Sequence, residues 1–91
     1  MNDPTDRQIR EKRLRIRAWR RGTKEMDLLL GPFADGGLSG LSVDELDAIE
    51  ALLDENDNDL HTWVAGTATT PDQHRSAISL VRRYHNLPDL T

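Results

Sequence analysis

Ser42-Val43-Asp44-Glu45-Leu46-Asp47-Ala48-Ile49-Glu50-Ala51-Leu52-Leu53 carries both marks of a globular helix, a start signal and a one-sided stripe. Ser42 and Glu45 form a capping box, in which each side chain serves a backbone donor near the helix start. Val43, Leu46, Ile49 and Leu53 then recur at helical spacing, predicting a helix over 43–54. Strand signals are poor throughout, since aromatics are only 4% and no stretch alternates cleanly.

The flanking segments follow the same rules. Upstream, Asp3-Pro4 reads as an N-cap with proline at the first helical position, opening a first helix that runs to about Arg21 and stops at Gly22. At 100° per residue Ile16 and Trp19 fall within about 80° of Ile9, an apolar seam beside the stripe Arg10, Arg13, Arg17 and Arg20. A short second helix spans about Thr23 to Leu30 and ends at Gly31-Pro32, leaving Asp35-Gly36-Gly37-Leu38-Ser39-Gly40 as a flexible loop. Downstream, a fourth helix covers Asn58 to Val64 and stops near Gly66. Thr70-Pro71-Asp72-Gln73 opens a fifth, which presents Ala77, Ile78, Val81 and Tyr84 inward, runs to about Asn86 and ends at Pro88. Trp19 and Trp63 are expected in the core. The fold class is all-α: a compact bundle of about five short helices, one domain over 1–91 with 1–4 and 87–91 frayed, its neighbours antiparallel.

At 91 residues and 36% hydrophobic content the core is small. Cysteine is absent, which excludes disulfides, thiolate metal sites and thiol catalysis. The longest apolar run is Leu28-Leu29-Leu30, far below a membrane span. The first residues lack an apolar signal region, and Asp3, Asp6 and Glu11 among the arginines argue against a transit peptide. A bacterial cytoplasmic location is expected.

Charge is segregated along the chain. Residues 1–25 hold nine Lys/Arg against four acids, residues 26–74 hold eleven acids and no Lys or Arg, and residues 75–91 hold three arginines against one acid. Two readings are open and compatible: the basic first segment packs along the acidic middle, or the two present opposite faces to a partner.

Chemistry-bearing motifs are scarce. Gly37-Leu38-Ser39-Gly40-Leu41 fails the nucleophile-elbow pattern at Leu41. Asp54, Asp57, Asp59 and His61 invite a metal reading, but a calcium loop from Asp57 would place Thr62 and Ala68 where Gly and Glu are needed. His61, His74 and His85 are scattered, and no phosphate-cradling loop follows a strand. The chain reads as a binding protein, not an enzyme, with no metal.

One local oddity remains. Arg20-Arg21-Gly22-Thr23-Lys24-Glu25-Met26-Asp27 joins two helices through a single glycine, with Arg21 offering a planar fork and Glu25 one turn beyond. Spacing alone allows a plain helix stop with Arg21 paired to Glu25.

This run resembles the Arg-Gly-x-x-Glu signature of the succinate dehydrogenase assembly factor family, within its longer Arg-Arg-Gly-x-Lys-Glu-x-Asp block. Phe33, Leu41-Ser42, Leu52-Leu53-Asp54 and Asp57-Asn58-Asp59-Leu60-His61-Thr62-Trp63 resemble further family features, in order over about residues 10–85. The glycine-rich loop 35–40 and the short tail depart from the family. The resemblance implies a five-helix factor that binds the apo flavoprotein subunit of succinate dehydrogenase, and often of fumarate reductase, and promotes covalent attachment of FAD to its histidine. It implies a partner-binding surface of Arg20, Arg21, Gly22, Lys24, Glu25 and Asp27. The factor would hold no tightly bound cofactor, be monomeric when free and insert in no membrane. The self-catalysed attachment would need only a subunit held in reactive geometry. A rival reading makes the Arg10/Arg13/Arg17/Arg20 stripe a nucleic-acid-binding or adaptor surface, against which the acidic balance of the rest weighs.

Overall fold

The computed structural model describes residues 5–88 and contains five α-helices in that span: α1 (Asp6–Ala18), α2 (Lys24–Gly37), α3 (Val43–Leu53), α4 (Asp57–Ala65) and α5 (Arg75–Tyr84). Among the described residues there is no strand. The predicted Asp3-Pro4 start, and the fraying expected at 1–4 and over 89–91 of the 87–91 tail, lie outside the described residues; Leu87 and Pro88 are described, the Leu87 N–H donating to the Arg82 carbonyl and the Pro88 carbonyl accepting from Arg82.

The caps are chemically simple. Thr5 starts α1 with a capping box to Gln8, and Ser42 starts α3 with the expected box to Glu45. Thr23 and Asn56 accept from backbone N–H groups at the starts of α2 and α4. Gly66 closes α4 in the left-handed conformation at φ 80°. α5 departs from expectation. Thr70 makes no cap; its buried hydroxyl has no partner, and a 3-10 turn over Asp72–His74 leads into the helix.

Three further boundaries differ: α1 ends at Ala18 rather than about Arg21, α5 ends at Tyr84 rather than about Asn86, and α2 overruns its predicted stop. α2 continues through Pro32 to Gly37, so the loop read over 35–40 is helical in its first half. Proline costs the bond to the carbonyl four residues back. Here that is Leu28, whose residue is exposed, and the opened turn also receives His85, whose Nε2 donates to the Leu29 carbonyl at 2.6 Å. Burial of Phe33, Ala34 and Leu38 beyond the proline outweighs the lost bond, and the helix persists.

The core is built from Leu14, Met26, Leu30, Phe33, Leu38, Leu46, Ile49, Leu52, Leu60, Trp63, Ile78 and Val81, all buried. α1 lies against α2 and α3, while α5 packs on α3, α2 and α4. α1 faces inward through Glu11, Leu14 and Ala18. The predicted seam points the other way, with Ile9 37% and Ile16 43% exposed. The reason is the arginines that share the inward-facing flank: Arg10 reaches Asp47 at 2.5 Å and Glu50 at 3.1 Å, and Arg17 reaches Asp54 at 2.5 Å. A seven-residue step on α1 therefore matches a seven-residue step on α3, so these two helices run parallel. The basic first segment does pack along the acidic middle. The guanidinium of Arg10 is held above its ordinary pKa, first by the hydrogen bond it donates to Asp47.

Trp63 is buried as expected, with its ring stacked on His74 at 5.4 Å. Trp19 is not. Its ring lies over Gly31 of α2, leaving it partly exposed, and its Nε1 donates to Asp35 at 3.0 Å. Val43 and Tyr84, also expected inward, are exposed, though the Tyr84 ring meets Phe33 edge-on at 5.8 Å.

Candidate functional site: the connection between the first two helices

Residues 19–23 link α1 to α2 and carry Arg21 and Gly22 of the predicted signature, whose Glu25 lies in the first turn of α2. Gly22 sits at φ 101°, a backbone state that side-chain-bearing residues rarely adopt. A Cβ built there would meet nothing closer than Asp57 Oδ2 at 4.0 Å. Glycine is needed here for conformation and not for space.

Arg21 turns inward. Its side chain is 10% exposed, and its Nε donates to Asp57 Oδ1 at 2.8 Å. Its Nη1 and Nη2 donate to the carbonyls of Leu53 and Glu55, each at 2.5 Å. The guanidinium thus closes the C-terminal end of α3, where unpaired carbonyls and the negative end of the helix dipole gather. Its backbone N–H donates to Asp27 Oδ1 at 2.7 Å. The alternative pairing with Glu25 is not formed.

The six predicted residues therefore divide in two. Arg21 and Asp27 are engaged within the fold. Arg20, Gly22, Lys24 and Glu25 are exposed, and no side-chain hydrogen bond or ion pair occupies Arg20, Lys24 or Glu25 among the described residues. The exposed four form a strip bearing both charge signs around a bare backbone. That chemistry suits a protein surface with donors and acceptors of its own, and it offers no nucleophile held by a base.

Sequence reasoning missed Asp57 as the partner of Arg21. The available signal was that α3 ends with no basic residue in its last turn, which leaves its last carbonyls open to a donor from elsewhere in the chain. The stripe of the rival reading is partly consumed, since Arg10 and Arg17 are paired to α3. An open cleft of about 590 Å³ lined by Gly66 to Thr70, Arg75, Ile78 and Ser79 shares no residue with the signature. Among the described residues no group of three His, Asp or Glu side chains is placed to hold a metal, and no helix is long and apolar enough to cross a membrane.

The family described as flavinator of succinate dehydrogenase matches residues 12–85. The chain belongs to this family. Among curated proteins it is similar to the FAD assembly factor SdhE of Acetobacter pasteurianus, 34% identical over 74 residues, which is 81% of this chain and 66% of that protein. It is also similar to the mitochondrial succinate dehydrogenase assembly factor 2 of Debaryomyces hansenii, 46% identical over 55 residues, 60% of this chain and 39% of that one. The protein of the same description from Drosophila grimshawi is 33% identical over 79 residues, 85% of this chain and 54% of its own length. None of the three relatives is matched over its whole length. The span matched by the flavinator family runs from the middle of α1 to the end of α5, and so takes in the whole 19–27 site and the α3–α4 connection beneath it.

Proposed function

We propose that this chain is an assembly factor that binds the flavoprotein subunit of succinate dehydrogenase and promotes covalent attachment of FAD to it. Membership of the flavinator family carries the reading. The exposed strip Arg20, Gly22, Lys24 and Glu25 supports it as the contact surface, because its polar groups lack internal partners. In this reading FAD belongs to the partner, and the factor contributes binding and geometry. Holding the subunit where its own histidine meets the flavin converts a rare encounter into a populated one. The flavoprotein of fumarate reductase, which presents the same cofactor problem, is a second partner, and the bacterial cytoplasm is the compartment where both would be met.

The test is covalent flavin in the flavoprotein subunit, read by in-gel fluorescence under denaturing conditions. Cells lacking the gene are compared with cells carrying wild type, Gly22→Arg or Glu25→Gln. Loss on deletion, rescue by wild type and poor rescue by both variants are expected. Glu25→Gln is the cleaner variant, since Glu25 makes no side-chain bond and gives the fold only a first-turn carboxylate on α2, whereas any side chain at position 22 strains the backbone. Equal fluorescence in every strain refutes the proposal.

A further inference from the structure

We infer that Asp57, with the α3–α4 connection around it, is a positioning element of the partner-binding site, and that Arg21 is the tie holding the exposed strip to it. The inference rests on the proposed function for what the strip binds.

Lys24 and Glu25 open α2 behind the Thr23 cap, whereas the short connection before them turns on a glycine in a left-handed state, so its own backbone does not fix how Arg20 and Gly22 sit against that helix start. Two external anchors do. From α2, Asp27 accepts the Arg21 N–H; from the opposite side, Asp57 and two carbonyls accept three of the five guanidinium donors. Gly22 follows directly and turns the chain outward, so Gly22, Lys24 and Glu25 emerge from the point where the tie is made. A guanidinium so engaged cannot reach across an interface without giving up all three bonds. The planar fork matters, since a lysine ammonium at this position would satisfy fewer of the three acceptors in one geometry.

The connection that receives the tie is itself fixed to the core. Glu55, whose carbonyl takes Arg21 Nη2, has its carboxylate 3.2 Å from His74 Nε2. His74 is 3% exposed and stacked on Trp63. A continuous set of contacts therefore runs from the buried Trp63–His74 stack through Glu55 to Arg21 and the strip. Partner contacts and positioning residues lie on different helices, which is why the signature alone does not disclose Asp57.

The test uses the full chain and purified flavoprotein subunit lacking covalent flavin, at a temperature where every variant is folded. Arg21→Lys and Asp57→Asn are each expected to weaken binding about tenfold, and the double variant no further than the weaker single, as for residues of one network. Glu25→Gln is expected to weaken binding while the chain stays folded, its melting midpoint shifting only by the loss of one first-turn carboxylate of α2. In the free chain, Asp57→Asn is expected to lower the backbone order parameters of residues 20–24 from about 0.85 toward 0.6. Wild-type affinity for Asp57→Asn, or independent losses that multiply in the double variant, would overturn the inference, as would order parameters unchanged at 20–24. If the wild-type chain binds no flavoprotein, the proposed function fails, and the order parameters alone still decide whether Asp57 holds the strip.

Discussion

Gly31→Ala places a methyl group against the Trp19 ring, and the packing of α1 on α2 sets its cost. A Cβ built at Gly31 lies 2.3, 2.4 and 2.7 Å from three ring carbons, more than an ångström inside ordinary contact at the closest. The ring must therefore swing away, breaking its hydrogen bond to Asp35. Overfilling a packed contact costs about 1–3 kcal/mol. In the opposite direction, alanine is preferred to glycine inside a helix by about 1 kcal/mol, and position 31 is interior to α2. The single variant is thus expected between neutral and about 2 kcal/mol less stable, the difference of these two effects. The informative experiment is the cycle with Trp19→Ala. Without the ring the clash is gone and only the propensity gain remains, so Gly31→Ala should stabilise that background by about 1 kcal/mol. Urea unfolding of the four proteins measures the change of sign, and for a domain of this size 1 kcal/mol moves the melting midpoint by about 4–8 °C. Gly31→Ala stabilising both backgrounds equally would refute the placement of Trp19 over Gly31.

Gly22→Ala meets no steric obstacle but forces a side-chain-bearing residue into φ 101°, and should cost about 1–3 kcal/mol in calorimetry. On α1, Leu14→Ala should cost about 2–5 kcal/mol while Ile16→Lys stays within about 0.5 kcal/mol of wild type, the reverse of what an Ile9–Ile16–Trp19 inner seam requires. Arg82→Met removes a buried guanidinium that donates to Val64 and Pro88 carbonyls; an expected loss of about 1.5–3 kcal/mol is checked by denaturant unfolding.

Helix number, and the positions of α3 and α4, were legible because their caps are local chemistry: Ser42 with Glu45 and Gly66 act within a few residues of themselves. The end of α2 was not, because Pro32 and three glycines are breakers on local grounds, and only the burial of Phe33, Ala34 and Leu38 against other helices overrides them. The inward face of α1 was misread for a related reason. Ile9 and Ile16 are the most apolar residues on that helix, yet the face is chosen by Leu14, by small Ala18 allowing close approach, and by arginines whose carboxylate partners lie 37 residues away. At the candidate site the residue types were readable from the signature, but the inward turn of Arg21 depends on Asp57 and on two carbonyls, which no side-chain pattern encodes.

The missing cations of residues 26–74 find their physical reason in helix ends. α2, α3 and α4 all terminate in that block, and none has a basic residue in its last turn. Each instead receives an arginine from outside the block. Arg7 donates to the Leu38 and Leu41 carbonyls beyond α2, Arg21 to Leu53 and Glu55 at the end of α3, and Arg82 to Val64 in the last turn of α4. Charge segregation in the sequence is thus helix capping by distant residues, which ties both basic ends of the chain to its acidic middle. Arg21 belongs to this set and also to the signature. Substitutions there disturb a helix end and the proposed contact surface together, so a loss of binding at Arg21 does not by itself identify a contact. Glu25 has no internal side-chain bond among the described residues and gives the fold only a first-turn charge on α2, so a loss of binding there in a folded variant points to the proposed contact surface.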